Sequence, residues 1–286
     1  MSETRTLDAG RVWFITGASS GFGQAIGHAA LDVGDRVVAT ARDIGRLERL
    51  VERDPESVLA LSLDVTDAAD ARSVVAKGRD HFGRLDVVVN NAGYGHIGAV
   101  EELSDAEWRQ QLEVNLFGVV HVTRAALPWL RQQRSGHLVQ MSSLNGIEAL
   151  PGGAYYVASK FAVEGFSESL AGEVAHLGIK VTIVEPGPHR TSFASDRSAR
   201  WAEPIADYDE SVGQTRAAIG QLDGNQPGDP ERAARAIVRV VDADEPPLRL
   251  PLGQVALDNI RAKLQGQLSE LDRWSELSAS SDFPAD

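Results

Sequence analysis

The chain is expected to fold as a single α/β domain: a doubly wound parallel sheet of about seven strands, flanked by helices on both faces. Three observations point there. Short apolar runs alternate with helix-length amphipathic segments, the runs are apolar throughout rather than at every second residue, and the first opens directly into a glycine-rich turn. Strands buried on both faces read as continuous apolar runs. Their strict alternation with helices is the pattern of a layered parallel sheet.

In order, residues 11–16 form a strand ending at glycine, and a small-residue helix follows to about Asp32, stopping near Gly34. Residues 35–41 repeat the strand, 43–53 a helix, 58–63 a third strand, 67–82 a helix, and 85–89 a fourth strand closing into Asn90-Asn91-Ala92-Gly93. Ser104-Asp105-Ala106-Glu107 is a capping box, so a long helix is expected over 104–133, kinked or broken at Pro128. Residues 136–141 read as strand five. The next helix carries Tyr156 and shows Val163, Phe166, Leu170, Val174 and Leu177 at helical spacing, as core or a helix–helix interface. Gly178 ends it, and 179–184 is strand six. Between 191 and 229 periodicity fades, with scattered Phe193, Trp201, Ile205 and Tyr208, which suggests a substrate lid with an apolar wall. Asp229-Pro230 starts a helix to about Val241, 248–252 is a last strand, and 255–277 a final helix. The domain is thus expected over 10–277, with flexible ends at 1–9 and 278–286.

With 286 residues, 43% hydrophobic and 24% charged, the composition is that of an ordinary globular protein. The absence of Cys excludes disulfides, thiolate metal sites and cysteine nucleophiles. A net charge of -13 argues against nucleic acid or an anionic membrane as partner. No run approaches the ~20 apolar residues that span a bilayer, and 1–10 contains no signal core, so a cytoplasmic location is expected. None of the histidine spacings suits a metal.

Gly17, Gly21 and Gly23 form G-x-x-x-G-x-G between the first strand and its helix. Glycines there let the backbone approach a pyrophosphate, which the helix N-terminus attracts through its free N–H groups and dipole. The same stretch contains G-x-S-x-G around Ser19, the elbow pattern of a serine hydrolase with His189 as a distant partner. A hydrolase elbow usually sits deeper in the strand order, and the additional Gly23 is what a dinucleotide requires. On a helix, Tyr156 and Lys160 lie four positions apart and so on one face. A free phenol titrates near ~10, so work near neutrality needs roughly three units of lowering, about 4 kcal/mol, which a neighbouring cation supplies.

With these residues in view, the chain resembles the short-chain dehydrogenase/reductase family, in the larger group with a Y-x-x-x-K site. Thr16 to Gly23, Asp64-Val65, Asn90 to Gly93, Asn115, Ser142-Ser143, Tyr156 to Lys160 and Pro186-Gly187 occur in the family's order, over about 11–191. The resemblance implies a Rossmann-like domain that interconverts a carbonyl and an alcohol by hydride transfer. It implies Tyr156 as the general acid/base, Lys160 as the group that lowers its pKa and holds the nicotinamide ribose, and Asn115 as the support of a proton-relay water. Ser143, 13 residues before Tyr156, is implied as the donor to the substrate oxygen, in preference to Ser142. The same chemistry follows physically, because an alkoxide needs a donor, a nearby proton and a site that excludes water. Ser143 as a cap of the following loop and Asn115 as a bridge between helix and sheet backbone are the competing explanations.

The cofactor-binding set implied is Gly17, Ser19, Ser20, Gly21, Phe22, Gly23, Arg42, Asp64, Val65, Asn91, Ala92, Gly93, Tyr156, Lys160, Pro186, Gly187 and Thr191. The second strand ends Ala39-Thr40-Ala41-Arg42, with Ala41 where an NAD site wants a carboxylate. Arg42, with Ser19, therefore indicates NADP(H). A one-residue register change would instead let Asp43 take the ribose. Asp64 and Val65 are expected beside the adenine, although a strand-end Asp also caps helices. His96 and His189 are read as surface residues that alternatively face substrate. The family's Asn115 and Tyr156 helices often pair subunits, so a homodimer or homotetramer acting on a small molecule is expected. A non-catalytic NADP(H)-binding sensor or scaffold is the alternative from another class; the complete set of Asn115, Ser143, Tyr156 and Lys160 argues against it.

Overall fold

The computed structural model describes residues 10–191 and 199–283. Seven strands build the main sheet: β1 (Val12–Ile15), β2 (Arg36–Ala41), β3 (Val58–Ser62), β4 (Val87–Asn90), β6 (Gly136–Met141), β7 (Ile179–Pro186) and β9 (Arg249–Leu252). Their order is β3-β2-β1-β4-β6-β7-β9, and every pairing is parallel. The order reverses between β1 and β4, which opens a crevice beyond the carboxyl ends of the strands.

Side-chain alternation explains both helical layers. From β1, Trp13 and Ile15 join Val37, Ala39 and Val89 against α1 (Gly21–Asp32) and α8 (Pro230–Val241). Val12 and Phe14 project to the other face with Val38 and Val88, against α3 (Ala68–Phe82), α5 (Gly118–Gln133) and α6 (Ala154–Val174). All four β1 side chains are buried, so the strand has no polar face to show. The Trp13 indole satisfies its donor on Asp35 Oδ2 at 2.7 Å. Of the five apolar positions expected on the Tyr156 helix, Val163, Leu170 and Val174 are buried, and Phe166 and Leu177 pack against the same core.

Three expectations change. First, the long helix over 104–133 is interrupted at Asn115, not at Pro128. α4 (Asp105–Leu112) and α5 are joined by a π-helical turn, Glu113–Phe117, and Pro128 lies inside α5. The extra residue in the turn lets Asn115 face the site while both flanking helices keep their buried stripes. Second, the segment over 191–229 is folded where it is described. β8 (Ala199–Trp201) pairs with the short β5 (Gly95–Ile97), and α7 (Gln214–Leu222) follows two irregular turns. Arg216 anchors that segment on the buried Glu102 carboxylate at 2.6 Å. Third, α9 (Gln254–Ala279) runs past the expected end of the domain. α2 (Glu48–Arg53) completes the helices, after a 3-10 turn capped by Asp43. Among the described residues no helix is long and apolar enough to cross a membrane.

Candidate active site

The crevice is a cavity of about 1220 Å³ at the carboxyl ends of β1, β2, β4, β6 and β7. Its floor and one wall are the glycine turn. Gly17 and Gly21 have φ of +64° and +54°, a conformation that L side chains rarely adopt. Ser20 precedes α1 with no side-chain cap, and the first turn carries no acidic residue. The leading N–H groups of α1 are thus left to an anion, which the helix dipole also favours. Ser19, Ser20, Gly21 and Phe22 line this wall, with Asn91, Ala92 and Gly93 beside them. Asn91 Nδ2 donates to Thr16 O and Gly17 O at 2.9 and 3.1 Å, clipping the two turns together. Gly23 stands behind the wall rather than in it. A Cβ there would come 2.4 Å from Gly17 O and 2.5 Å from Asn91 Nδ2. The cradle fits a dinucleotide pyrophosphate.

At the end of β2, Arg42 and Arg46 are exposed and both line the cavity. Asp43 lines it too, but its carboxylate is committed as a cap, accepting from Gly45 N at 3.0 Å. The arrangement therefore offers cations rather than a free carboxylate at this edge. Asp64 and Val65 border the same end. The cap of α3 is Asp67; Asp64 instead accepts from Thr66 N and Oγ1, so the capping explanation for Asp64 does not hold.

The catalytic candidates converge on the opposite wall. The Tyr156 phenol is hydrogen-bonded by Ser143, whose Oγ also accepts from Asn145 N at 3.1 Å. Ser142 lies instead against Glu164, since a Cβ at Gly146 would come 2.4 Å from Ser142 Oγ and 2.9 Å from Glu164 Oε1. That separates the two serines. Lys160 is buried, donates to Met141 O at 2.8 Å, and stands 5.8 Å from the centre of the Tyr156 ring. Burial pushes the phenol up to about 12, with Ser143 opposing, and burial also brings Lys160 down to about 8, with Glu164 opposing. The Lys160 ammonium is engaged by the Met141 carbonyl, and the phenol's shift comes first from its loss of hydration. Asn115 Nδ2 donates to Tyr94 O and Ser159 Oγ, and Oδ1 accepts from Tyr94 N. The side chain ties its turn to the Tyr94 loop and to Ser159, rather than to the sheet backbone that the competing explanation named. One acceptor position on Oδ1 remains, and Oδ1 and Lys160 Nζ both approach Gly93, lying 3.1 and 3.8 Å from the Cβ it lacks.

The short chain dehydrogenase family profile matches residues 11–201 of this chain. The chain belongs to that family. Oxidoreductase BOA17 of Botryotinia fuckeliana is 42% identical over 274 residues, covering 95% of this chain and 99% of its own. A solved short-chain dehydrogenase from Streptomyces avermitilis is 44% identical with a TM-score of 0.89, covering 95% of this chain and 100% of that one. An alcohol dehydrogenase from the archaeon Thermococcus sibiricus, solved with 5-hydroxy-NADP, is 27% identical with a TM-score of 0.69, covering 85% of this chain and 95% of that one. The chain is therefore an oxidoreductase of a family that uses nicotinamide cofactors, with the sheet order and the turn after β1 that such cofactors require.

Of the remaining expected positions, Pro186, Gly187 and Thr191 line the cavity. The two histidines are not surface residues: His96 and His189 are both buried. His96 sits on β5 outside the cavity lining, its Nε2 3.8 Å from Glu107. His189 lines the cavity but is held by Gly187 O at 3.0 Å and packs on the Phe22 ring. The apolar wall comes from Ile219, Leu222 and Leu150. Trp201, Ile205 and Tyr208 do not line the cavity, and Phe193 lies outside the described residues. Sequence reasoning missed Arg46, Arg200, Glu148 and Asn259; only Arg46, one helical turn after Arg42, carried a readable signal.

Behind Lys160 lies a charged cluster that was also missed. Arg249 Nε is 3.1 Å from Glu164 Oε2 and 3.5 Å from Glu185 Oε1, and both carboxyls are buried. Burial, with the nearby Glu164 charge, pushes Glu185 up to about 7 against Arg249. A folded-state pKa above the ordinary 4.5 means that stability is full at pH below about 4.5 and is lost as pH rises towards about 7. Denaturant unfolding at pH 5 and pH 8 should show a loss of up to about 3 kcal/mol from this group. In Glu185→Gln the loss should vanish, and an unchanged slope would remove Glu185 as its source.

Proposed function

We propose that this oxidoreductase is NADP(H)-dependent and interconverts a ketone or aldehyde with its alcohol, with Tyr156 as the general acid/base. The observation that carries the reading is the convergence of the Ser143-bound Tyr156 phenol and buried Lys160 on a cavity whose other wall is the uncapped N-terminus of α1. When bound, the cofactor supplies or accepts a hydride. Ser143 and Tyr156 hold the substrate oxygen by hydrogen bonds, and in the reducing direction Tyr156 gives up its proton as negative charge develops there. Lys160 binds the nicotinamide ribose and returns a proton to Tyr156. The free acceptor position of Asn115 Oδ1 suits a water that links Lys160 onward. Burial of the phenol excludes bulk water from this exchange.

Gly17, Ser20, Gly21 and Phe22 hold the pyrophosphate, with Gly23 keeping the turn closed. Asp64 and Val65 flank the adenine; Asn91, Ala92, Gly93, Pro186, Gly187 and Thr191 surround the ribose and nicotinamide. Arg42, joined by Arg46 and Ser19, takes the 2′-phosphate. The protein acts in the cytoplasm as a homodimer or homotetramer, for which Phe117 and Phe161, exposed beside Asn115 and Lys160, offer apolar contact.

Fluorescence titration with NADPH and NADH, followed by a carbonyl panel, tests the reading. NADPH should bind at least about tenfold more tightly, the value of one charge-assisted contact. Arg42→Ala should weaken NADPH by about tenfold to 150-fold and leave NADH nearly unchanged. Equal losses for both would assign selection elsewhere, and binding of neither would refute the cofactor.

A further inference from the structure

The last helix continues well beyond the body that it caps. Only Ala256 and Ile260 of α9 are buried, packed on Leu144 and Ile147, with Asn259 donating to Glu148. From Arg261 onward none of its residues is buried. Yet this free portion is not polar all round. Leu264, Leu268, Leu271 and Trp274 are each more than half exposed, and they follow one another at intervals of four, three and three. Those intervals place them on one stripe, continuous with Leu257 and Ile260. Leu257, Leu264 and Leu271 recur every seven residues, the period at which two helices keep a seam in register. A helix that exposes such a stripe without a partner leaves an apolar patch in water.

The charges select the occupant. Arg261 and Lys263 outweigh Asp258, which pairs with Arg261 at 3.6 Å, so the first half of the helix is basic by one charge, whereas Glu270, Asp272 and Glu276 outweigh Arg273 in the second. Lys263 and Glu270 each immediately precede a heptad leucine, so they occupy the same flank of the stripe. Two such helices laid antiparallel bring like flanks together and set each basic half against an acidic one. Lys263 then faces Glu270 of the partner subunit, and the contact repeats by two-fold symmetry. A parallel pair would place like charges at the same level. The acidic half, on a chain of net charge -13, also opposes an anionic lipid surface.

We infer that α9 is a self-association element, in which the Leu264–Leu268–Leu271–Trp274 stripe pairs antiparallel with the same stripe of a second copy of this chain. The pairing fixes the rim of the cavity as well, because Val255 and Asn259 at the start of α9 line it.

The test is light scattering of the full-length protein, with far-UV circular dichroism to verify folding. The wild type should be an even-numbered assembly, and Leu264→Glu/Leu271→Glu should halve its mass. Lys263→Glu and Glu270→Lys should each weaken assembly by at least tenfold, and the double exchange Lys263→Glu/Glu270→Lys should restore it. That restoration reads the antiparallel register even where the leucine variant folds poorly. A wild-type monomer, an unchanged mass in the folded leucine variant, or no rescue by the exchange would overturn the proposal. Co-sedimentation with phosphatidylcholine/phosphatidylserine vesicles, abolished by the leucine substitutions while the mass stays the same, would assign the stripe to a membrane surface instead.

Discussion

Replacing Tyr156 with Phe is expected to lower turnover by at least about 100-fold, and by as much as about 10,000-fold, the range that a positioned proton donor contributes. The phenol is buried and hydrogen-bonded to Ser143, so Phe keeps the ring packing and removes only the proton and its hydrogen bond. NADPH affinity should stay within a factor of a few. The direction of the pKa shift adds a second signature. A phenol pushed up to about 12 remains protonated near neutrality, which suits the reducing direction. Oxidation of an alcohol needs the phenolate, so its rate should rise as pH increases above 7, until cofactor and Lys160 bring the operating value of the phenol into range. Steady-state rates in both directions between pH 6 and 10 measure this. A Phe variant with wild-type turnover would remove Tyr156 from the chemistry.

Gly23→Ala should abolish tight cofactor binding through a single methyl group. The added carbon would meet Gly17 O at 2.4 Å and Asn91 Nδ2 at 2.5 Å, distances that neither atom can simply concede. Gly17 O belongs to a backbone held in the left-handed region, and Asn91 Nδ2 is the clip between the two cavity-lining turns. Overpacking of this kind costs about 1–3 kcal/mol. NADPH affinity should fall at least about tenfold, with a melting temperature several degrees lower, as read by fluorescence titration and thermal unfolding. Unchanged affinity would show that the turn tolerates the carbon and that Gly23 is only a packing residue.

The convergence of Tyr156, Ser143 and Lys160 was legible because it depends on short spacings that a helix and the loop before it carry unaltered. The same holds for the glycine turn, whose backbone conformation is local. Asn115 was legible as a residue but not as a geometry. Its π-turn arises from the fit of α4 and α5 around Tyr94, whereas Pro128, the louder local signal, is accommodated inside a helix. Residues 199–229 showed little periodicity because β8 and α7 are short and depend on β5 and Glu102, about a hundred positions earlier. The histidines were misplaced for a related reason, since nothing adjacent to His96 or His189 announces burial.

The sequence by itself determined the sheet, the place of the glycine turn and the shared helix face of Tyr156 and Lys160, because apolar period, glycine position and helical spacing are properties of neighbours along the chain. The tertiary structure alone decided that Ser142 lies against Glu164, that Asp43 is spent on its own turn while Arg42 and Arg46 line the cavity, and that Lys160 rests on Met141 with Glu164, Glu185 and Arg249 behind it. These are contacts between residues far apart in the chain, and their energies depend on burial, which exists only once the sheet has closed over them.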